Sequence, residues 1–111
     1  MGTTSKNIIP AKFIENAQTT QYTATNVRTR FDNVTVTNVT GTAATFSINL
    51  VPLAGSVASS NLIISTKTVQ PGEVYRCPEL VNKVINVGGL ISAIAGTASA
   101  LVIDAAATEM S

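Results

Sequence analysis

The chain has 111 residues, seven basic and six acidic side chains, no histidine and one cysteine. The length fits a single domain, and a hydrophobic fraction of 45% with 12% charged residues excludes an intrinsically disordered chain. The formal net charge is +1 and no segment concentrates the basic residues, so the basic stripe typical of nucleic-acid-binding proteins is missing. Cys77 has no partner for an intrachain disulfide, and many of the remaining residues are Val, Ile and Thr, which favour strands.

The N-terminal segment, residues 1–18, mixes polar residues with apolar ones but shows no clear period of two or of 3.6. A proline within it disfavours helix at the preceding residue and interrupts a strand ladder. We therefore predict an extended N-terminal arm (residues 1–18) in front of a folded domain (residues 19–111). An N-terminal strand that packs on its own domain is the alternative. The candidate partner contacts in the arm are Ile8, Ile9, Pro10, Phe13 and Ile14.

Residues 20–40 predict a strand with a defect. The apolar positions before residue 32 have one parity, whereas Val34 and Val36 have the other. Because strand side chains alternate between faces, this switch predicts a bulge, a bend or a break at residues 32–33.

The clearest alternation lies at residues 43–51, where Phe46, Ile48 and Leu50 share one face. Pro52 ends this strand, because proline cannot donate to a ladder. The remaining sequence predicts, in chain order, a loop at 53–61, a strand at 62–69, a type II turn at 70–73 with Gly72 at positive φ, a strand at 74–77, a helical turn at 78–84, and a terminal hairpin of strands 90–95 and 98–105 around residues 96–97.

Together these patterns predict an all-β single domain, a β-sandwich or jelly-roll-like barrel of about seven or eight short strands. The apolar stretch at residues 90–107 is interrupted by small polar residues and Asp104. It therefore predicts two strands and a turn instead of a membrane span. The N-terminus has no apolar run long enough for a signal peptide.

The residues that usually carry chemistry are absent or scattered. No histidine is available as a general base or metal ligand, and the six carboxylates are dispersed. Cys77, between Arg76 and Pro78, is interpreted as a buried, inert thiol. No Cys/His cluster or Asp-rich loop predicts a metal site, and two consecutive glycines at 88–89 are too few for a phosphate loop. We predict no catalytic, cofactor or metal site, and hence a structural or binding protein.

Six segments of the chain stand out in their order: residues 9–12 (IPAK), 18–23 (QTTQYT), 31–38 (FDNVTVTN), 49–52 (NLVP), 69–73 (VQPGE) and 78–89 (PELVNKVINVGG). This order is similar to that of small virion proteins of tailed bacteriophages. Each segment alone is ordinary strand and turn sequence, and their order across most of the chain carries the resemblance. In size and strand content the chain resembles capsid decoration or staple proteins, including those of short-tailed Salmonella phages.

The resemblance implies a jelly-roll-like fold that binds the outside of the phage head and bridges subunits of the major capsid protein. It implies a virion protein assembled in the host cytoplasm and supplies no functional residues. The anchors in the arm and the low net charge predict a homo-oligomer, with a dimer favoured; neither nucleic acid nor membrane is an expected partner. The alternatives are a neck or tail component such as a head–tail adaptor or collar, a carbohydrate-binding module, and a small hydrolase.

Overall fold

The computed structural model describes residues 2–111, and its regular secondary structure is almost entirely β-strand. Within these described residues, the only helical element is a 3₁₀ turn at Ser59–Asn61. The strands are β1 Thr3–Phe13, β2 Thr19–Thr23, β3 Arg28–Asn38, β4 Ala44–Val51, β5 Leu62–Val69, β6 Val74–Tyr75, β7 Val84–Ile85, β8 Leu90–Ala95 and β9 Leu101–Met110.

These strands form two antiparallel sheets that pack as a sandwich. Sheet I has the order β1-β9-β3-β6, with β7 also paired to β3, and sheet II has the order β2-β8-β4-β5. The chain wraps so that the first strand pairs with the last, the second with the second-last, and β4 with β5. This nested pairing is the jelly-roll arrangement. The predicted all-β sandwich is confirmed, with nine strands in the described part of the chain instead of seven or eight.

The core lies between the inner faces of the two sheets. Phe31, Phe46, Ile48, Ile91 and Ile103 are among its largest fully buried side chains. The predicted parity switch is confirmed, because the β3–β9 register shifts between Phe31 and Asn33. This bulge lets apolar positions of opposite parity face the same core.

The N-terminal arm prediction is wrong, and the alternative reading describes the structure. Residues Thr3–Phe13 form the edge strand of sheet I and pair with β9 along the strand, with register shifts between Asn7 and Ile9 and between Ile9 and Lys12. These irregularities explain the absent period of two, because each one changes the face to which the following side chain points. Ile9 and Ile14 are fully buried in the domain's own core and Ile8 is nearly so.

Two further predictions in the second half of the chain need correction. The strands predicted as a terminal hairpin, β8 and β9, lie in different sheets, and residues 96–100 cross between them. The predicted helical turn at residues 78–84 consists of non-helical turns, with Asn82 at φ 69° and a short strand from Val84. Backbone bonds between Asn82, Lys83 and Phe31 of β3 draw this segment onto the edge of sheet I.

The predicted strand and turn around residue 70 are correct in position. Strand β5 spans Leu62–Val69, and the Glu73 N–H donates to the Gln70 carbonyl over 3.0 Å. Gly72 has φ 74°, as its place in a type II turn requires.

The sandwich has two distinct ends. One, here called the terminal end, carries residues 24–27, residues 52–61, residues 86–89 and both chain termini. The opposite end carries the loops at 14–18, 39–43, 70–73 and 96–100. Loops on such a scaffold are where binding surfaces are usually built.

Candidate protein-binding surface

The five candidate contact residues of the N-terminal segment do not form one surface. Ile8, Ile9 and Ile14 are buried in the core, whereas Pro10 and Phe13 are exposed on the edge strand. Three of the five therefore contribute to folding and are not accessible to a partner.

A groove at the terminal end offers a different apolar surface, which sequence patterns did not predict. Its volume is about 430 Å³, and it lies between the end of β4 and the β7–β8 connection. We call it the terminal groove. Its lining residues are Leu50, Val51, Pro52, Leu53, Val84, Ile85, Asn86, Val87 and Gly89.

Local sequence explains why one wall of the groove is held in place. Pro52 ends β4, and its carbonyl accepts a bond of 2.9 Å from the Gly55 N–H in a tight turn. Farther along, the Asn49 side-chain amide donates to the Ala58 carbonyl and to the Asn61 side chain, over 2.9 and 2.8 Å. These bonds hold the loop at 52–61 over the outer face of sheet II.

The opposite wall depends on a glycine. Gly88 has φ 85°, and a Cβ atom built on it would lie 2.4 Å from Leu53 Cδ1. A side chain there would collide with Leu53 and would also be strained at positive φ. Glycine therefore lets Leu53 pack directly on the backbone of the β7–β8 connection.

The groove is apolar and carries no ionisable side chain in its lining. Leu53 is 70% exposed, and Val84 and Val87 are each about half exposed. Asn86 is the one lining residue with a polar side chain. Clustered, exposed apolar side chains with a hydrogen-bonding group fit the surface of another protein.

The sequence held a weak signal for this surface. Leu53 is a large apolar residue in a segment predicted as a loop, and Val87 precedes two glycines. Isolated exposed apolar residues are common in soluble proteins, so only the fold shows that these loops meet.

A polar network connects the two sheets near the terminal end. The Tyr22 hydroxyl of β2 donates to the Glu109 carboxylate of β9. The Thr29 hydroxyl of β3 lies 2.8 Å from the Tyr22 hydroxyl. Lys6 Nζ is 3.3 Å from Glu109. The Tyr22 bond, followed by Lys6, lowers the pKa of Glu109, while burial and then the Glu109 bond raise the pKa of Tyr22 to about 12. The network joins β1, β3 and β9 to β2.

The burial and the pKa of the lone thiol, Cys77, agree with the prediction of a buried, inert group. Cys77 is fully buried, and burial, with a smaller contribution from the charge of Glu79, raises its pKa to about 12. A thiol that stays protonated is a poor nucleophile. Within residues 2–111, no three His, Cys, Asp or Glu side chains are grouped so that they could hold a metal ion.

No helix in the described part of the chain is long and apolar enough to cross a membrane. The chain matches no protein-family model, no curated protein and no solved structure.

Proposed function

We propose that the protein is a non-catalytic virion component, a capsid decoration protein that binds the major capsid protein on the outside of a tailed-phage head. The terminal groove carries this proposal, because it presents apolar side chains without charge on a rigid jelly-roll body. The order of segments shared with phage virion proteins supports the same assignment. The protein acts as a homo-oligomer, with a dimer as the simplest form, that bridges neighbouring capsid subunits.

The groove suits this role energetically. Complete burial of a side chain such as Leu53 or Val87 on a partner contributes about 1.5–3 kcal/mol, less for a side chain that is already half buried. A flexible arm would lose roughly 1–2 kcal/mol per residue on ordering. The groove walls are already held by backbone and Asn49 hydrogen bonds, so binding there avoids most of that cost.

The nearly neutral chain also fits a crowded surface. A formal net charge of +1 produces little repulsion between copies bound side by side. Two linked copies would add avidity to individually weak contacts, because the second contact forms at high effective concentration.

A binding assay with a matched pair of variants tests the proposal. Purified protein is mixed with phage heads that lack it, and bound protein is measured by co-sedimentation. Leu53→Asp places a charge in the groove and is expected to lower affinity by about 10- to 100-fold. The control is Val39→Asp, because Val39 is 57% exposed but lies at the opposite end of the sandwich. This control should bind like the wild type.

Electron microscopy of the same particles, with a labelled chain, distinguishes the shell from the neck. Label distributed over the head supports the proposal. Label at a single vertex replaces it with a neck or tail role. Failure of the wild-type protein to bind heads, or equal binding by Leu53→Asp, contradicts groove-mediated decoration.

A further inference from the structure

The outer face of sheet I carries a continuous row of partly or well exposed residues across its four main strands. The register aligns Phe13 of β1 with Val102 of β9, Val102 with Thr37 of β3, and Thr37 with Val74 of β6. Directly paired residues project from the same face, and their neighbours Val36 and Ile103 are buried in the core. Phe13 is 45% exposed and Val74 is 48% exposed, so this apolar row faces away from the core.

On the same face, basic and acidic side chains lie at different positions along the strands. Arg28 and Arg30 lie towards the terminal end, paired with Met110 and Thr108 of β9, whereas exposed Asp104 lies nearer the apolar row. Arg30 forms an exposed ion pair of 3.3 Å with Asp32 at the bulge. Within residues 2–111, neither Arg28 nor Asp104 takes part in an ion pair. Asp104 accepts a hydrogen bond of 2.7 Å from the Asn7 amide.

Along the strand direction, Arg30 and Asp104 are equally far from Ala106, a small exposed residue at the middle of β9. Thr108, the partner of Arg30, is two residues to one side of Ala106, and Asp104 is two residues to the other side. The basic and acidic positions are thus about 13 Å apart along the strands. Met110 and Val102 are likewise equidistant from Ala106.

We propose that the outer face of sheet I packs against the same face of a second copy of this chain, about a two-fold axis that passes near Ala106 across the strands. This rotation reverses each strand but keeps it over the same strand of the other copy. It therefore places Arg30 of one copy over Thr35 of the other, which is the direct neighbour of Asp104 on β9 at a strand spacing of about 4.8 Å, within reach of an arginine side chain. The apolar row comes over Met110 and the aliphatic part of Arg28. A two-fold axis along the strands would instead oppose the basic end of one copy to the basic end of the other. Charge complementarity therefore selects both the occupant and the orientation.

The size of the face sets the expected strength. Four strands about 4.8 Å apart and eight residues of strand length give a patch of roughly 500 Å² per copy. Specific interfaces bury roughly 800 Å² per partner, so we expect a micromolar dimer that is strengthened when both copies are held on a larger surface. The inference specifies the dimer of the proposed function but does not depend on phage heads.

Charge-reversal variants of the isolated protein test this interface. Sedimentation equilibrium from micromolar to submillimolar concentration should show a monomer–dimer equilibrium for the wild type. Arg30→Glu and Asp104→Lys should each weaken the dimer by about tenfold, because each opposes like charges. The double variant should return to within about threefold of the wild-type constant, because it restores opposite charges with their positions exchanged. Thr68→Lys is the control, since Thr68 is exposed in sheet II.

Rescue by the double variant also excludes misfolding as the reason for the single-variant losses. A wild-type chain that stays monomeric overturns the inference, and so does a dimer that is insensitive to both single changes. If the dimer behaves as expected but no variant binds phage heads, the interface stands and the decoration role fails. If heads are bound by a monomer, the decoration role stands and this interface fails.

Discussion

At the scale of single residues, Tyr22 makes the polar connection between the sheets. Its hydroxyl donates to Glu109 and lies within hydrogen-bonding distance of Thr29. Thr29 is fully buried and the Glu109 side chain is 16% exposed. Hydrogen bonds to charged groups in such surroundings are stronger than neutral ones, so this contact should be visible in stability.

Tyr22→Phe should lower the free energy of unfolding by about 1–2 kcal/mol at neutral pH, because the Glu109 carboxylate loses its donor. The pKa of Glu109 in the folded protein lies below its ordinary value of 4.5. The stabilisation is therefore complete above that pH and is lost as pH falls through the lower, folded value. Urea unfolding of both proteins at several pH values measures this, and the difference between them should shrink in acid.

The matched control for this change is Tyr75→Phe. Tyr75 also donates to a carboxylate, Glu79, but that contact is exposed. Exposed polar contacts compete with water and contribute little. Equal losses for the two tyrosines, or a Tyr22→Phe difference that does not change with pH, would contradict the role of the Glu109 network.

At the scale of elements, the burial and pairing of β1 show that the N-terminal segment is an integral strand of the domain and not a mobile arm. Ile8 and Ile9 are buried, and the strand pairs with β9 along most of its length. Burial of each isoleucine contributes about 1.5–3 kcal/mol, a large part of the roughly 5–15 kcal/mol that holds a typical domain together.

Deletion of residues 2–13 should therefore unfold the domain or lower its melting temperature severely, as measured by circular dichroism. Deletion of residues 2–5 is the control, because these residues are all exposed and their removal costs only the end of the β1–β9 ladder. A long deletion that melts like the full chain would restore the arm hypothesis.

Sequence patterns predicted the elements whose signals are local. The alternation at Phe46 and Ile48, the bulge before Val34 and the turn at Gly72 each depend on neighbouring residues, and each is found in the structure. An N-terminal strand was only the alternative to the predicted arm, because the bulges of β1 and Pro10 disrupt the period of two. The pairing of β8 and β9 was wrong because strand signals do not specify which sheet a strand joins.

The candidate surface was less predictable than the fold. Leu53 and Gly88 are 35 residues apart in the chain, and their contact depends on how two loops meet at one end. The apolar row of sheet I likewise depends on the cross-strand register, since Phe13 and Val74 belong to opposite edges of the sheet. Neither arrangement has a spacing that a single sequence displays.

At the scale of the whole molecule, the fold brings the chain ends together. The Ser111 N–H donates to the Gly2 carbonyl over 2.9 Å, and the Gly2 N–H donates back over 3.4 Å. Strands β1 and β9 are thus neighbours in sheet I although they are the first and last strands of the chain. Such a contact of large sequence separation slows folding, because a long loop must close before the contact forms.

A circular permutant tests this topology. A flexible linker of about four residues joins Ser111 to Gly2, and the chain is opened between Thr97 and Ala98, which are both exposed in the connection between sheets. The β9–β1 pair then becomes a local hairpin. We expect stability close to that of the natural chain, because the opened connection contributes little packing, and folding roughly tenfold faster in stopped-flow measurements.

The control is a chain opened between Ile48 and Asn49, both buried in the central strand β4. That permutant has the same linker but should fail to fold, because the opening interrupts β4 between its two partners. If the Thr97–Ala98 permutant is unfolded, the termini do not meet as the fold requires. If it is stable but folds no faster, closing β1 onto β9 is not the slow step, and the rate must be limited by the nested pairing of the inner strands.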